Sequence, residues 1–305
     1  MSPSPPTTPL PAAGPAVVAV GGGHGLAVSL RAIRRYARSV AAVVSVADDG
    51  GSSGRLRAEA PDLPAPGDVR RCLGALAAAD SPLAARLEHR FEVDGPLHGH
   101  AYGNLLLAAL AFGLGSFTEA VAEVSRMTGG VGRVIPATVD AVQLACTPTD
   151  DPDAEPIVGQ VAIAATSGPR RLRLQPPGAA SPAEAVAAVL DADQVVLGPG
   201  SLYTSVVAAA IAPDVADALR RTTARRVYVA NLWAQEPEAA GFGVAEHVAV
   251  LGDHGIPVDV VLAHTATAEA DRLRGAIPVV EAPVADDRGL VHHPERLAAA
   301  LADLT

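Results

Sequence analysis

Apolar residues fall along this chain in two rhythms. In "AVVAVGGGHG" a β-branched run, Ala16 to Val20, stops at glycines, and "LAVSLRAIRRYA" then sets apolar residues at helical spacing with arginines on the other face. "VAAVVSVADDGG" is apolar until its acids, which suits a parallel strand covered on both faces. Strand, glycine turn, helix, strand is a βαβ unit, right-handed in nearly all proteins. "GDVRRCLGALAAA" reads as a helix with Asp68 as N-cap. "SPLAARLEHRF" reads as another, with Ser81 at the cap and Pro82 at the first helical position, where a missing N–H costs nothing. The stretch from about 101 to 128 is helical and is split in two by a capping box, Ser116 with Glu119.

From about 134 to 175 the character changes. "ATVDAVQLACT", "PIVGQVAIAAT" and "RRLRLQPP" are short runs broken by Pro, Asp and Gly, and they predict strands of a small antiparallel element. The βα rhythm then returns. "SPAEAVAAVLDA" is a helix with a capping box, Ser181 with Glu184. "DQVVLGPGS" is strand and turn, and "LYTSVVAAAIA" opens the next helix. "RRVYVANLWAQ" and "VDVVLAHT" are strands, "AIPVVEAPV" is an edge strand broken by Pro, and "PERLAAALADL" is a final helix. The expected fold is α/β, a mostly parallel sheet with helices on both faces and a small inserted β element. It forms one domain over residues 16–305 with the β-rich insertion at about 134–175, preceded by a disordered Pro-rich tail, residues 1–15.

Composition narrows the function. The chain has 305 residues, 49% hydrophobic and 18% charged, enough to bury a sizeable core. A net charge of −10 leaves no basic excess for phosphodiester backbones, so nucleic acid is excluded as a general partner. All 23 basic residues are Arg, so no Lys nucleophile or Schiff base is available. Cys72 and Cys146 lie far apart and read as reduced, buried thiols of a cytoplasmic protein. No apolar run approaches the ~18 residues that span a membrane. The N-terminus lacks the basic and apolar regions of a signal peptide.

Three glycine-rich strand ends concentrate the candidate chemistry. Gly21, Gly22, Gly23, His24, Gly25 and Leu26 sit between a strand and a helix N-terminus, where free N–H groups and the helix dipole favour anions. Leu26 stands where a dinucleotide fingerprint needs Gly, and no P-loop GK[ST] follows. Gly198, Pro199, Gly200, Ser201, Leu202, Tyr203 and Ser205 repeat the geometry, and two such loops at a switch point of one sheet suit a diphosphate. In "VADDGGSSGRL", Asp48 and Asp49 suit sugar hydroxyls or a Mg²⁺ on a diphosphate. Gly50, Gly51 and Gly54 allow close backbone approach, Ser52 and Ser53 add donors, and Arg55 suits a phosphate fork. Asp68, Arg70 and Arg71 follow. His98 and His100 lack a third ligand for zinc, while Asn104 aims an amide at a ligand or caps its turn. Asn231, Gln235 and Glu238 are polar groups at another strand's end. The bland alternatives stand beside these readings: close packing for the first glycine loop, helix capping for Ser201, solvated faces for Arg70 and Arg71. No GxSxG elbow supports nucleophilic hydrolysis.

The blocks "VVAVGGGHGL", "VADDGGSSGRLR", "PGDVRRCLGALA", "GHAYGNLLLA", "IPAT", "GPGSLYTSVV" and "NLWAQEPEAAGF…EH", in this order, resemble the YvcK-like gluconeogenesis factors, a branch of the CofD-like superfamily of 2-phospho-L-lactate transferases. The resemblance covers about residues 16–303. It implies a Rossmann-like fold, a cytoplasmic location and binding of a UDP-sugar, notably UDP-N-acetylglucosamine. It also implies a role in cell shape, cell-wall precursor control and growth on gluconeogenic carbon. A homo-oligomer is compatible with it. The transferase branch implies a rival, transfer of a phospholactyl-type group with Mg²⁺ in the coenzyme F420 pathway, and an NAD-like dinucleotide binder is a second rival. The family pattern N-L-x-x-Q/E-P-G-E-T-x-G is altered here, with Pro237 where Gly is usual and Ala239 where Thr is usual.

Overall fold

The computed structural model describes residues 9–147, 155–235, 237–265 and 277–305. Along the chain run β1 (Ala16–Gly21), α1 (Gly23–Ile33), β2 (Ser39–Val44), α2 (Gly51–Glu59), α3 (Gly67–Leu76), the short α4 (Ala84–Leu87), α5 (Tyr102–Leu114), α6 (Phe117–Met127) and β3 (Arg133–Pro136). Then come β4 (Gln143–Thr147), β5 (Ile157–Val158), α7 (Gln160–Ala164), β6 (Arg170–Gln175), α8 (Ala183–Leu190) and β7 (Gln194–Leu197). A π-helical turn, Leu202–Val207, runs into α9 (Ala208–Ala210), followed by α10 (Pro213–Arg221), β8 (Arg225–Val229), α11 (Val244–Asp253), β9 (Val260–His264), β10 (Val279–Ala282) and α12 (Pro294–Ala302).

Seven of these strands form one parallel sheet in the order β10-β9-β8-β7-β1-β2-β3. β10 is the edge strand its Pro foretold. At the centre β1 pairs with β2 on one side and with β7 on the other, Val20 facing Val43 and Leu197. β1, β2 and β7 are buried over nearly their whole length, which is why they read as unbroken apolar runs. Helices cover both faces, with α1 against α3 and α12, and α8 against α10. A separate antiparallel sheet, β5-β4-β6, is the small inserted element.

Several local expectations need correction. "PIVGQVAIAAT" supplies only the two residues of β5. Gly159, at φ +107°, then turns the chain, and Gln160–Ala164 is helical. The carboxylate of Asp49 accepts from the N–H groups of Gln160 and Val161 at 3.0 and 2.9 Å, and this long-range cap overrides the β-branched pattern. Asp68 is not an N-cap. Pro66 holds that position, and Asp68 lies in the first turn of α3. Ser181 does not cap α8 either: Pro182 is the N-cap and the Ser181 hydroxyl is buried without a partner. Ser116 does cap α6, accepting from the Glu119 N–H at 3.2 Å. "GSSGRLRAE", for which the sequence pattern predicts no element, is α2.

Of the expected tail, residues 1–8 lie outside the described residues, and Leu10 packs half-buried against the core. Cys72 and Cys146 are both buried, and neither is in a disulfide. No single described helix is long and apolar enough to cross a membrane.

Candidate functional site

Strand order reverses between β1 and β7, and at the carboxyl ends of the sheet a polar cleft of about 370 Å³ opens. Its wall joins segments far apart in sequence: Gly23, Asp48, Gly50 to Ser53, Gly67, Asp68, Arg70, Arg71, Arg90, Asn104, Gln160, Thr204 and Ser205. Gly67, Arg90, Gln160 and Thr204 were not singled out from the sequence. Arg90 comes from an irregular segment between α4 and α5, where no periodicity marks it.

Which donors are free decides what the cleft holds. The Gly23 N–H at the start of α1 donates to Asp68. The amides of Leu202, Tyr203 and Thr204 face the Glu238 carboxylate and pull its pKa down against its burial, and its Oε2 accepts from the Thr204 hydroxyl at 3.0 Å. In the same loop the Gly200 N–H donates to Asn231 Oδ1 at 3.1 Å, and the Leu202 N–H to Gln235 Oε1 at 3.2 Å. With Asp49 on α7, three helical N-termini near the cleft carry the chain's own carboxylates where a phosphate would lie. The start of α2 differs. Gly50 is its N-cap, no side chain caps it, and its first turn holds no acid. Gly50, Gly51, Ser52 and Ser53 all face the cleft; the Gly50 N–H is taken by Asp48 Oδ1 at 3.0 Å, and the N–H groups of the first helical turn open onto the cleft with the positive end of the dipole.

A polar network stiffens the floor. Arg70, 1% exposed, forks onto Glu88 at 3.1 and 2.9 Å and donates to Asn104 Oδ1 at 2.7 Å. The Asn104 amide donates to the hydroxyls of Ser52 (3.0 Å) and Ser53 (3.4 Å), and Ser52 also bonds His100 Nδ1 at 3.1 Å. Arg70, Asn104 and Ser52 are therefore engaged with one another. Arg71 donates to Asp68 at 2.8 Å, and its buried Nε has no partner. Arg90 donates to the Gly99 carbonyl at 2.8 Å. Arg55 is exposed, lies near Gly99 and does not line the cleft.

Burial pushes the Asp68 carboxyl up to about 6 against the pull of Arg71, and Asp48 adds to the rise. Asp48 faces the cleft with Oδ1 accepting from the Gly50 N–H at 3.0 Å. Both oxygens of Asp49 point instead at α7. The paired acids thus part company. A Mg²⁺ carried in on a phosphate would be held here by Asp48, the cleft carboxylate that makes no ion pair. Among the described residues no three His, Cys, Asp or Glu side chains converge on a metal position.

The two glycine loops form the wall between this cleft and a second, apolar one of about 270 Å³. His24, Gly25, Pro199 and Gly200 line it, with Asn231 to Gln235 and Leu290 to His292. Trp233 is 63% exposed and donates from Nε1 to the Gly289 carbonyl at 2.8 Å. A Cβ on Gly25 would lie 2.2 Å from the Pro199 carbonyl oxygen, so glycine lets the loops touch. Burial first, then Arg71, lowers the pKa of the exposed His24. Leu26 and Leu202 belong to the core, and buried Tyr203 packs on Phe242 and His254. Ala239 is fully buried, so the altered loop concerns packing as well as contacts.

The family model for 2-phospho-L-lactate transferase CofD matches residues 17–300. A Mycobacterium tuberculosis protein described as "Putative gluconeogenesis factor" is 45% identical over 306 residues, covering 93% of this chain and 89% of that protein. The "Gluconeogenesis factor" of Halalkalibacterium halodurans is 40% identical over 252 residues, covering 81% of this chain and 77% of that protein. The crystal structure of a UPF0052 family member from Bacillus halodurans superposes with a TM-score of 0.83 at 34% identity, covering 93% of this chain and 97% of that one. The chain belongs to the CofD-like family and, within it, to the gluconeogenesis factors.

Proposed function

We propose that this protein binds a nucleotide sugar through its diphosphate, with UDP-N-acetylglucosamine the candidate that the family resemblance supplies. One observation carries the reading: the first turn of α2, which holds no acid and has only its N-cap N–H taken by Asp48, opens into a cleft flanked by Arg71 and Arg90. The diphosphate belongs at α2, not on the two glycine loops. Those loops serve as the wall it crosses, with the base and sugar lying toward the apolar cleft at Trp233. Burying a diphosphate is costly unless donors meet it, and the α2 amides and two guanidiniums supply them. By resemblance the protein works in the cytoplasm, reporting or channelling precursor supply for the cell wall, cell shape and growth on gluconeogenic carbon.

A second reading has one favouring observation: Asp48 stands beside the phosphate position, as a Mg²⁺-dependent group transfer would need. Titration calorimetry decides between them. The parent should bind UDP-N-acetylglucosamine, and Arg90→Ala should weaken it about 10- to 100-fold, the loss of one charge-assisted hydrogen bond. A parent that ignores every UDP-sugar but consumes a phosphorylated three-carbon donor with Mg²⁺ replaces binding with transfer. Unchanged affinity in Arg71→Ala and Arg90→Ala sinks the α2 placement.

A further inference from the structure

Away from the cleft, a groove of about 820 Å³ runs between the last turns of α1, the end of α3, α4 and the start of α12, with Pro9 and Pro11 along it. That is room for a drug-sized molecule. Arg31, Arg34 and Arg35 line one side of it, and alanines of α3, α4 and the turn between them line the other. No acidic residue lines it. We propose that this groove binds an organic phosphate, its phosphoryl group on the three arginines and its apolar body on the alanines.

Two independent observations support it. The first is charge. Arg34 donates to the carbonyls of Ala75 and Ala77 at 3.1 and 3.0 Å, closing the end of α3, but no acid neutralises it. Arg35 pairs with Glu295 at 2.9 Å, a contact with both side chains at least half exposed, which water weakens. Arg31 makes no hydrogen bond or ion pair with a described residue. Three guanidiniums therefore share one exposed carboxylate, in a chain whose net charge is −10. Burial first, then Arg31 and Arg35, lowers the pKa of Arg34, as expected of like charges short of counter-charge. A dianionic phosphoryl group supplies that charge, and the guanidinium fork matches its oxygens. The second observation is Gly74. It lies inside α3 without a positive φ, so its backbone does not require glycine, and glycine there costs stability relative to alanine. Nothing lies within 4 Å of where its Cβ would be, so no packing contact requires glycine either. What its missing side chain leaves is space in the groove that it lines. α1 is about 16 Å long. The cleft meets its first residue and the groove its last turn, so the two sites are distinct, and the inference does not rest on the nucleotide-sugar reading.

Titration calorimetry of the full chain with naphthyl phosphate, inorganic phosphate and naphthol is the test. The parent should bind naphthyl phosphate at least about 10-fold more tightly than either of the other two, because only it meets both halves of the groove. Arg31→Ala, at an exposed position, should weaken that binding about 10- to 100-fold, the loss of one charge-assisted hydrogen bond. Gly74→Leu, which puts a side chain into the groove, should abolish it. Its melting temperature should not fall, since leucine is the better helix former. If Gly74→Leu fails to fold by circular dichroism, Arg31→Ala decides alone. A parent that binds naphthyl phosphate no more tightly than inorganic phosphate or naphthol overturns the inference. So does a folded Gly74→Leu or Arg31→Ala chain that binds it as tightly as the parent, which would seat the probe elsewhere.

Discussion

Asp68→Asn isolates one buried charge. Asp68 is 8% exposed, accepts from the Gly23 N–H and pairs with Arg71, yet its carboxyl is pushed from 3.8 up to about 6 because burial outweighs both partners. Between those two values the folded chain keeps a proton that the unfolded chain has released. The stability tied to this group is therefore complete below about pH 4 and is lost as the pH rises through about 6. At about 1.4 kcal/mol per pK unit the shift amounts to about 3 kcal/mol. Asn keeps an acceptor for Gly23 and does not titrate. Arg71, with its side chain 21% exposed, stays partly hydrated when its partner turns neutral, so losing that pair costs about 1 kcal/mol or less. Urea unfolding of both chains should show the variant gaining on the parent by about 2–3 kcal/mol between pH 4 and pH 8, with the steepest change near pH 5 and a plateau above about 7. A difference that is flat with pH, or that grows in the parent's favour as the pH rises, refutes the assignment of burial as the dominant cause.

Three further outcomes follow from the same geometry. An anion arriving at the start of α2 should raise the Asp68 pKa further, so calorimetry near pH 6.5 in buffers of different ionisation heat should report net proton uptake, and Asp68→Asn should abolish it. Gly25→Ala places a Cβ 2.2 Å from the Pro199 carbonyl and should cost about 1–3 kcal/mol in thermal or denaturant unfolding as the two loops part. Glu238→Ala removes the buried acceptor of the Thr204 hydroxyl and the carboxylate facing the Leu202–Thr204 turn, and should cost about 1–3 kcal/mol in water. Inorganic phosphate should restore part of that loss in the variant's melting temperature and leave the parent's less changed.

The sheet, and the glycine-rich strand ends that it gathers at one edge, were legible because apolar runs ending at glycines survive any tertiary context. β1, β2 and β7 are buried on both faces, so their sequences carry no alternation to misread. The commitments of single polar groups were not legible. Asp48 and Asp49 are identical neighbours in sequence, yet one faces the cleft and the other caps α7, more than a hundred residues away in sequence. Glu238 reads as a ligand contact, and the fold buries it against the Leu202–Thr204 turn with Oε2 accepting from the Thr204 hydroxyl. α2 escaped because its buried residues are Ser52 and Ser53, so a helix held by polar contacts leaves no hydrophobic period. α7 escaped for the opposite reason, its Val and Ile imitating a strand until a remote carboxylate fixed its first turn. Restoring Thr at Ala239, attractive from the family pattern, now looks neutral or harmful, since that position is fully buried and a hydroxyl there needs a partner.

The pairing of β1 with β7 also sets a schedule. Ala16 bonds to Asp193 across 177 residues, while β2 lies only a few residues beyond α1. At about 5–20 residues per second of synthesis, β1 finds one neighbour within seconds of emerging and waits roughly 10–35 s for the other. During that interval one edge of a valine-rich strand stays open, and the crevice between the two glycine loops does not exist. The wall that separates the two clefts is thus a property of the nearly finished chain. A ribosome-bound or truncated fragment that stops before residue 198 would carry the first glycine loop and the acidic turn but lack Thr204 and Ser205, which close the candidate cleft on its far side.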